Sequence, residues 1–169
     1  LAQNIESTYS TLDMFLGFIP GSIGETSKLA ILIGAIMLII TGVGSWRIML
    51  ASVIGAVITV LLFNMLGLNA LMNFSWYNHL LVGGFLFAAV FMATDPVSGA
   101  QTNKGKWIYG LMIGFFSMTI RIFNPAYPEG AMLAILLRNA VAPTIDYYVV
   151  NGNIGKRKKR IKNNKLKTT

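Results

Sequence analysis

Between Arg47 and Asp95 the chain runs for 47 residues without a single Lys, Arg, Asp or Glu. A water-exposed surface cannot be built from such a run, whereas a bilayer requires one, because roughly 20 consecutive apolar residues cross the hydrocarbon core as one helix. A shorter charge-free run lies between Lys28 and Arg47. Only 12% of the 169 residues are charged and 54% are hydrophobic, about half the charge of an average soluble protein. Helical spans are predicted at 29–45, 48–66, 77–94, 107–123 and 130–150. The expected fold class is an all-α, multi-pass integral membrane protein with about five transmembrane helices.

Charge sets the expected orientation. Residues 1–155 hold six basic and six acidic groups, and Lys156, Arg157, Lys158, Lys159, Arg160, Lys162, Lys165 and Lys167 supply the whole net charge of +8. Basic groups fall in the 95–106 loop and in this tail, so the positive-inside rule makes both cytoplasmic and turns residues 1–28 outward. Three units follow: an extracytoplasmic loop (1–28), a transmembrane helical domain (29–150) and a basic cytoplasmic tail (151–169). A nucleic-acid surface would spread its cations over a folded face with aromatics interleaved, so the partner expected is the lipid bilayer and not nucleic acid. Cysteine is absent, which excludes disulfides and thiolate chemistry. The chain opens on Leu1 with neither an initiator Met nor a signal-peptide pattern and is read as cut from a longer protein.

Two features disturb a plain bundle. The third span ends in Thr94-Asp95-Pro96, and the fifth carries Arg138, Pro143 and Asp146 at membrane depth. Broken or charged helix inside a bilayer must be covered by protein or line a watery cavity. Glu25-Thr-Ser-Lys-Leu-Ala-Ile-Leu also matches Glu129-Gly-Ala-Met-Leu-Ala-Ile-Leu at an offset of 104, a hint of modular construction. The lone histidine, His79, stands beside Trp76 and Tyr77 and is expected in an interfacial aromatic belt. With one His, no Cys and no nucleotide-binding glycine pattern, no catalytic residue is assigned.

The loop Pro20-Gly-Ser-Ile-Gly-Glu-Thr-Ser-Lys28 admits two readings. Pro and Gly make a turn, and Thr26 or Ser27 caps the next helix. Alternatively, Gly21 and Gly24 let backbone approach a phosphate, the helix N-terminus favours its charge, a hydroxyl lies within reach, and Lys28 adds a cation.

Phe91-Met-Ala-Thr-Asp-Pro-Val-Ser98, Thr102-Asn-Lys-Gly-Lys-Trp107, Ile120-Arg121, Asn124-Pro-Ala-Tyr-Pro-Glu-Gly130 and Ala142-Pro143 with Asp146 closely resemble the C-terminal half of the B subunits of sodium-translocating NADH:quinone reductases. The D subunits of Rnf electron-transport complexes share Phe-Met-Ala-Thr-Asp-Pro and Tyr-Pro-Glu-Gly, whereas Asn-Pro-Ala before Tyr127 and Gly105-Lys-Trp107 look more like the quinone reductase. The resemblance implies a urea-transporter-like half with broken helices in a bacterial inner membrane. It also implies FMN joined by a phosphoester to Thr26 within Gly24-Glu25-Thr26-Ser27, and riboflavin in the full subunit. The function implied is that of a membrane subunit of a redox-driven sodium pump carrying electrons from NADH to quinone. Its partners would be the other subunits, quinone, sodium and a maturing flavin transferase, and the isolated fragment would be inactive. Asp146, in its Ala-Pro-x-x-Asp context, matches a position considered part of the sodium pathway, and Asp95 with Pro96 has similar chemistry and ranks second, with helix-end capping or an ion pair as the alternative for both. A passive urea-type channel or transporter and an Rnf D subunit are the rival functions.

Overall fold

The computed structural model describes residues 9–67, 71–72, 74–124 and 130–167. Among them every regular element is helical. In chain order these are α1 (Thr11–Leu16), α2 (Lys28–Ile40), α3 (Trp46–Leu66), α4 (Trp76–Leu81), a short α5 (Phe85–Phe87) running into a π-helical turn (Ala88–Met92), α6 (Asn103–Phe123) and α7 (Gly130–Lys167).

The core reverses the pattern of a soluble bundle. On α3 the buried stripe is Ile48, Ala51, Ser52, Gly55, Ala56, Thr59 and Val60, while Leu50, Ile54, Ile58, Leu61, Leu62 and Met65 are exposed. Small residues inside and large apolar residues outside suit a helix whose solvent is lipid, because packing, and not exclusion of water, holds such helices together. A Cβ on Gly110 would meet Ala51 Cβ at 2.6 Å, and one on Gly55 or Gly114 would run into the facing backbone. Helices α3 and α6 therefore touch backbone to backbone. They run parallel: Trp46 meets Trp107 at one end, and Phe63 meets Phe123 at the other. Antiparallel α7 closes the core through Ala131, Ala134, Ile135 and Ala142. Ala88 and Ala89 of the π-helical turn and Ala93 just after it join this cluster, while Val90 packs with Ile31 and Ala35 of α2.

Buried hydroxyls satisfy themselves locally, as bilayer burial demands. Ser52 donates to Met49 O at 2.8 Å, Thr59 to Gly55 O at 2.7 Å and Thr94 to Val90 O at 2.5 Å.

Of the five expected crossings, two are both long and apolar enough by themselves: α3, and α7 over Gly130–Ile161. Helix α2 ends at Ile40, short of the predicted 45, where Thr41 turns its hydroxyl onto Met37 O and Gly42 takes φ +73°. Its 13 residues measure about 20 Å, less than a hydrocarbon core. Helix α6 starts at Asn103, ahead of the predicted 107, because Thr102 caps it by accepting from Gly105 N at 3.1 Å.

The third span is broken in its middle, away from the Thr94-Asp95-Pro96 end that the sequence singled out. Val82 leaves the helix at φ −92°, ψ 134°, and Gly83 follows at φ +75°, a conformation open to glycine and strained for other residues. Helix α7 continues through Pro143 and the basic run to Lys167 instead of ending near 150. Lys and Arg are good helix formers, and Gly152 and Gly155 do not interrupt the helix. Glu129 of the sequence repeat, and Pro125 to Pro128 beside it, lie outside the described residues.

Candidate functional site

The Pro20–Lys28 loop is held at both ends. Gly17 closes α1, its N–H donating to Asp13 O at 2.9 Å, and a Cβ there would press on the Ser27 backbone at 2.8 Å. Within the loop, Ser22 N donates to Glu25 Oε1 at 3.2 Å, and Glu25 N returns a bond to Ser22 O at 3.3 Å. Gly24 takes φ +91°. Of the two hydroxyls the sequence offered as caps, Ser27 takes the role: its Oγ accepts from Ala30 N at 3.3 Å. Thr26, one residue earlier and half-buried, stands outside the cap.

Thr26 instead lines a cavity of about 200 Å³ with Tyr9, Ile19, Pro20, Gly21, Glu25, Lys28, Val82 and Gly83. The loop thus faces the break in the third span. Lys28 is 1% exposed. Its Nζ donates to Glu25 O and, at 3.0 Å, to Gly83 O. From the other side Arg121 Nη1 donates to His79 O at 2.7 Å. A helix interrupted in lipid leaves carbonyls with no helical donor, and here two cations from α2 and α6 reach them. Sequence reasoning missed both this break and Arg121; the signal was Gly83-Gly84 in the middle of an apolar run.

The cavity can receive the phosphate end of a ligand esterified to Thr26. A Cβ on Gly21 would meet Thr26 Cγ2 at 2.9 Å, so only glycine leaves that wall open, and Lys28 lines the same space. Of the predicted flavin-loop residues, Glu25 and Thr26 line the cavity, Gly24 shapes the turn and Ser27 caps α2.

The predicted sodium carboxylates lie at the other end of α6. Asp146 reaches from α7 to the α6 N-terminus, its Oδ2 accepting from Gln101 N at 2.7 Å and its Oδ1 from Thr102 N at 3.1 Å and Thr102 Oγ1 at 2.5 Å. Asp95 closes the turn after the π-helical segment, accepting from Ser98 Oγ at 2.7 Å, Ser98 N at 3.1 Å and Val97 N at 3.4 Å. The Ser98 hydroxyl and these amides hold its carboxyl below the ordinary carboxylate range. Gln101 links the two groups, its side chain donating to Pro96 O at 2.6 Å while its amide serves Asp146. Among the described residues no three His, Cys, Asp or Glu side chains cluster as a metal centre.

Two further polar groups are buried. His79 is 2% exposed, with Nε2 3.0 Å from Leu71 O and its ring edge-on to Phe74, so it is a packed core histidine and not part of an interfacial belt. Arg138 is buried against Tyr109, whose hydroxyl donates to Asn139 Oδ1.

Comparison with known proteins places these features in a family. The profile of the NQR2, RnfD, RnfE family matches residues 1–155. The chain is 53% identical over 165 residues to a Chromohalobacter salexigens protein named as the B subunit of Na(+)-translocating NADH-quinone reductase, covering 94% of this chain and 40% of that protein. It is 56% identical over 151 residues to the Yersinia pestis protein of the same name, covering 88% of this chain and 37% of the relative. It is 50% identical over 155 residues to the Azotobacter vinelandii protein of that name, covering 90% and 38%. The chain thus spans about two fifths of the length of these curated relatives.

Proposed function

The chain belongs to the NQR2, RnfD, RnfE family, and on that premise we propose that it is part of a membrane subunit of a sodium-translocating NADH:quinone reductase carrying FMN on Thr26. Its host membrane is a bacterial inner membrane, with the basic tail cytoplasmic and the 1–28 loop outside. The other subunits take electrons from NADH, quinone receives them, and riboflavin belongs to the full-length subunit. This stretch of chain on its own is inactive.

The observation that carries the reading is the division of labour between two adjacent hydroxyls. Ser27 is used by the α2 cap, whereas Thr26 opens onto a cavity containing a buried ammonium. Bound there, the flavin supplies one- and two-electron redox chemistry. The chain's own residues do the holding: the Thr26 hydroxyl forms the ester, Gly21 leaves room beside it, and Lys28 offers charge to the remaining phosphate oxygens. A threonine hydroxyl is a weak nucleophile at its ordinary pKa. The nearest carboxylate, Glu25, is committed to Ser22 N, so attachment calls for a separate flavin transferase and a flavin nucleotide donor whose phosphoanhydride bond would break as the Thr26 ester forms, the nucleotide monophosphate leaving and the hydroxyl proton passing to a base of the transferase.

Asp146 and Asp95 are proposed to contribute oxygen ligands to the sodium path at the cytoplasmic end. Hard cations take carboxylate and backbone oxygens, and Pro143 frees the Asn139 carbonyl one turn earlier by removing its helical donor.

The test is flavin fluorescence on a denaturing gel, with protein made beside an active transferase. Wild type and Ser27→Ala should give a fluorescent band and Thr26→Ala none. A band persisting in Thr26→Ala would refute the assignment.

A further inference from the structure

We propose that Lys28 is a positioning residue that ties the group esterified to Thr26 to the break in the third span, an inference resting on the reading of Thr26 above. An ammonium has three donors. Two are spent on carbonyls, Glu25 O within the flavin loop and Gly83 O across the cavity in the break. The third remains for the cavity that Lys28 shares with Thr26. One buried nitrogen therefore touches the attachment loop, the break and the space where a phosphodiester on Thr26 would lie.

Gly83 stands at φ +75° and has no side chain to pack, and Val82 and Gly83 line the same cavity as Thr26. Glu25 extends the same contact, since a Cβ on Gly84 would run into its carboxylate. Arg121 of α6 reaches the same break, its Nη1 donating to His79 O at 2.7 Å and its Nη2 lying 2.5 Å from where a Cβ on Gly83 would stand. Lys28 is thus a hydrogen-bonded link by which a charge at Thr26 bears on the backbone of the third span. The phosphodiester, with one negative charge, fixes the ammonium between phosphate and Gly83 O, so esterification should stiffen the break. Without the ammonium, flavin and break should be coupled only through the Glu25 contact at Gly84, and so more loosely.

The experiment uses the full-length protein assembled with its partner subunits and carrying Val82→Cys as a reporter of the break. With Lys28→Met, the flavin band on a denaturing gel should persist, because the ester is formed on Thr26. In the native protein the flavin's fluorescence anisotropy should fall, and maleimide labelling at position 82 should rise about tenfold, the scale of a lost charge-assisted hydrogen bond. The labelling rise should also appear in Thr26→Ala, which has no flavin. A second comparison leaves Lys28 intact: the Val82→Cys protein made with the transferase should label several-fold more slowly than the same protein made without it. Unmoved anisotropy or unmoved labelling in a monodisperse Lys28→Met protein would overturn the proposal, as would equal labelling with and without esterification. A wild-type protein lacking the band would instead refute the Thr26 reading, and the gel separates the two failures.

Discussion

Thr26 and Ser27 illustrate what a single residue's chemistry leaves undecided. Both are hydroxyl residues ahead of a helix, and either can cap it; the three-dimensional path of the loop gives the cap to Ser27. Ser27→Ala should therefore lower stability by about 1 kcal/mol, read as a small fall in melting temperature in detergent, with flavin content unchanged. The Ala-Pro-x-x-Asp context singled out Asp146, yet its partners, Gln101 and Thr102, are 45 and 44 residues away in sequence. That distance hid the pairing. Asp146→Ala in the assembled enzyme should weaken sodium stimulation of quinone reduction at normal flavin content. Thr102→Val removes the hydroxyl bond to Asp146 but leaves the carboxylate. Because the same hydroxyl caps α6, it should cost about 2 kcal/mol of stability and preserve sodium dependence. If both variants lost sodium dependence equally, Asp146 would be acting as a helix cap and not as an ion ligand.

At the scale of elements, α3 was legible almost to the residue, because an uninterrupted apolar run has one solution in lipid. The small residues at its buried face, and Gly110 and Gly114 opposite, explain how closely α3 and α6 approach. Gly114→Leu should force the helices apart, costing more than the 1–3 kcal/mol typical of overpacking, and should show as lost yield and a lower melting temperature. Phe115→Leu, on the exposed side of α6, should leave both unchanged. The third span was read less well. Proline is the stronger sequence sign of a break, which drew attention to Asp95-Pro96, whereas Gly83-Gly84 interrupts the helix once Lys28 and Arg121 are there to receive its carbonyls. Those two cations come from other elements, and no local window contains them. Helix α7 outran its predicted end because membrane exit was taken for helix end; the backbone hydrogen bonds of a helix do not require lipid.

At the scale of the whole molecule, α6 joins two sites. Thr102, which holds Asp146, precedes its first turn, and Arg121, beside the Thr26 cavity, lies in its last. The 19 steps along the chain from Thr102 to Arg121 rise about 28 Å, the thickness of a hydrocarbon core. A proposed redox group on one face of the membrane and proposed cation ligands on the other are thus connected by one helix packed along its length against α3 and α7. Single cysteines at Ser22 and Lys159 should accordingly react with an impermeant maleimide from opposite sides of intact cells, Ser22 from outside. Reaction of both from outside would contradict the topology. The membrane class was readable from the charge-free runs alone, whereas the joining of loop to break depended on contacts between distant segments. The central claim, that Thr26 carries FMN, is tested most directly by mass spectrometry of the peptide spanning Gly21 to Lys28 from protein made with an active flavin transferase. The account predicts a mass increased by FMN less one water, with fragment ions placing the addition on Thr26. An unmodified peptide, or the addition found on Ser22 or Ser27, would contradict it.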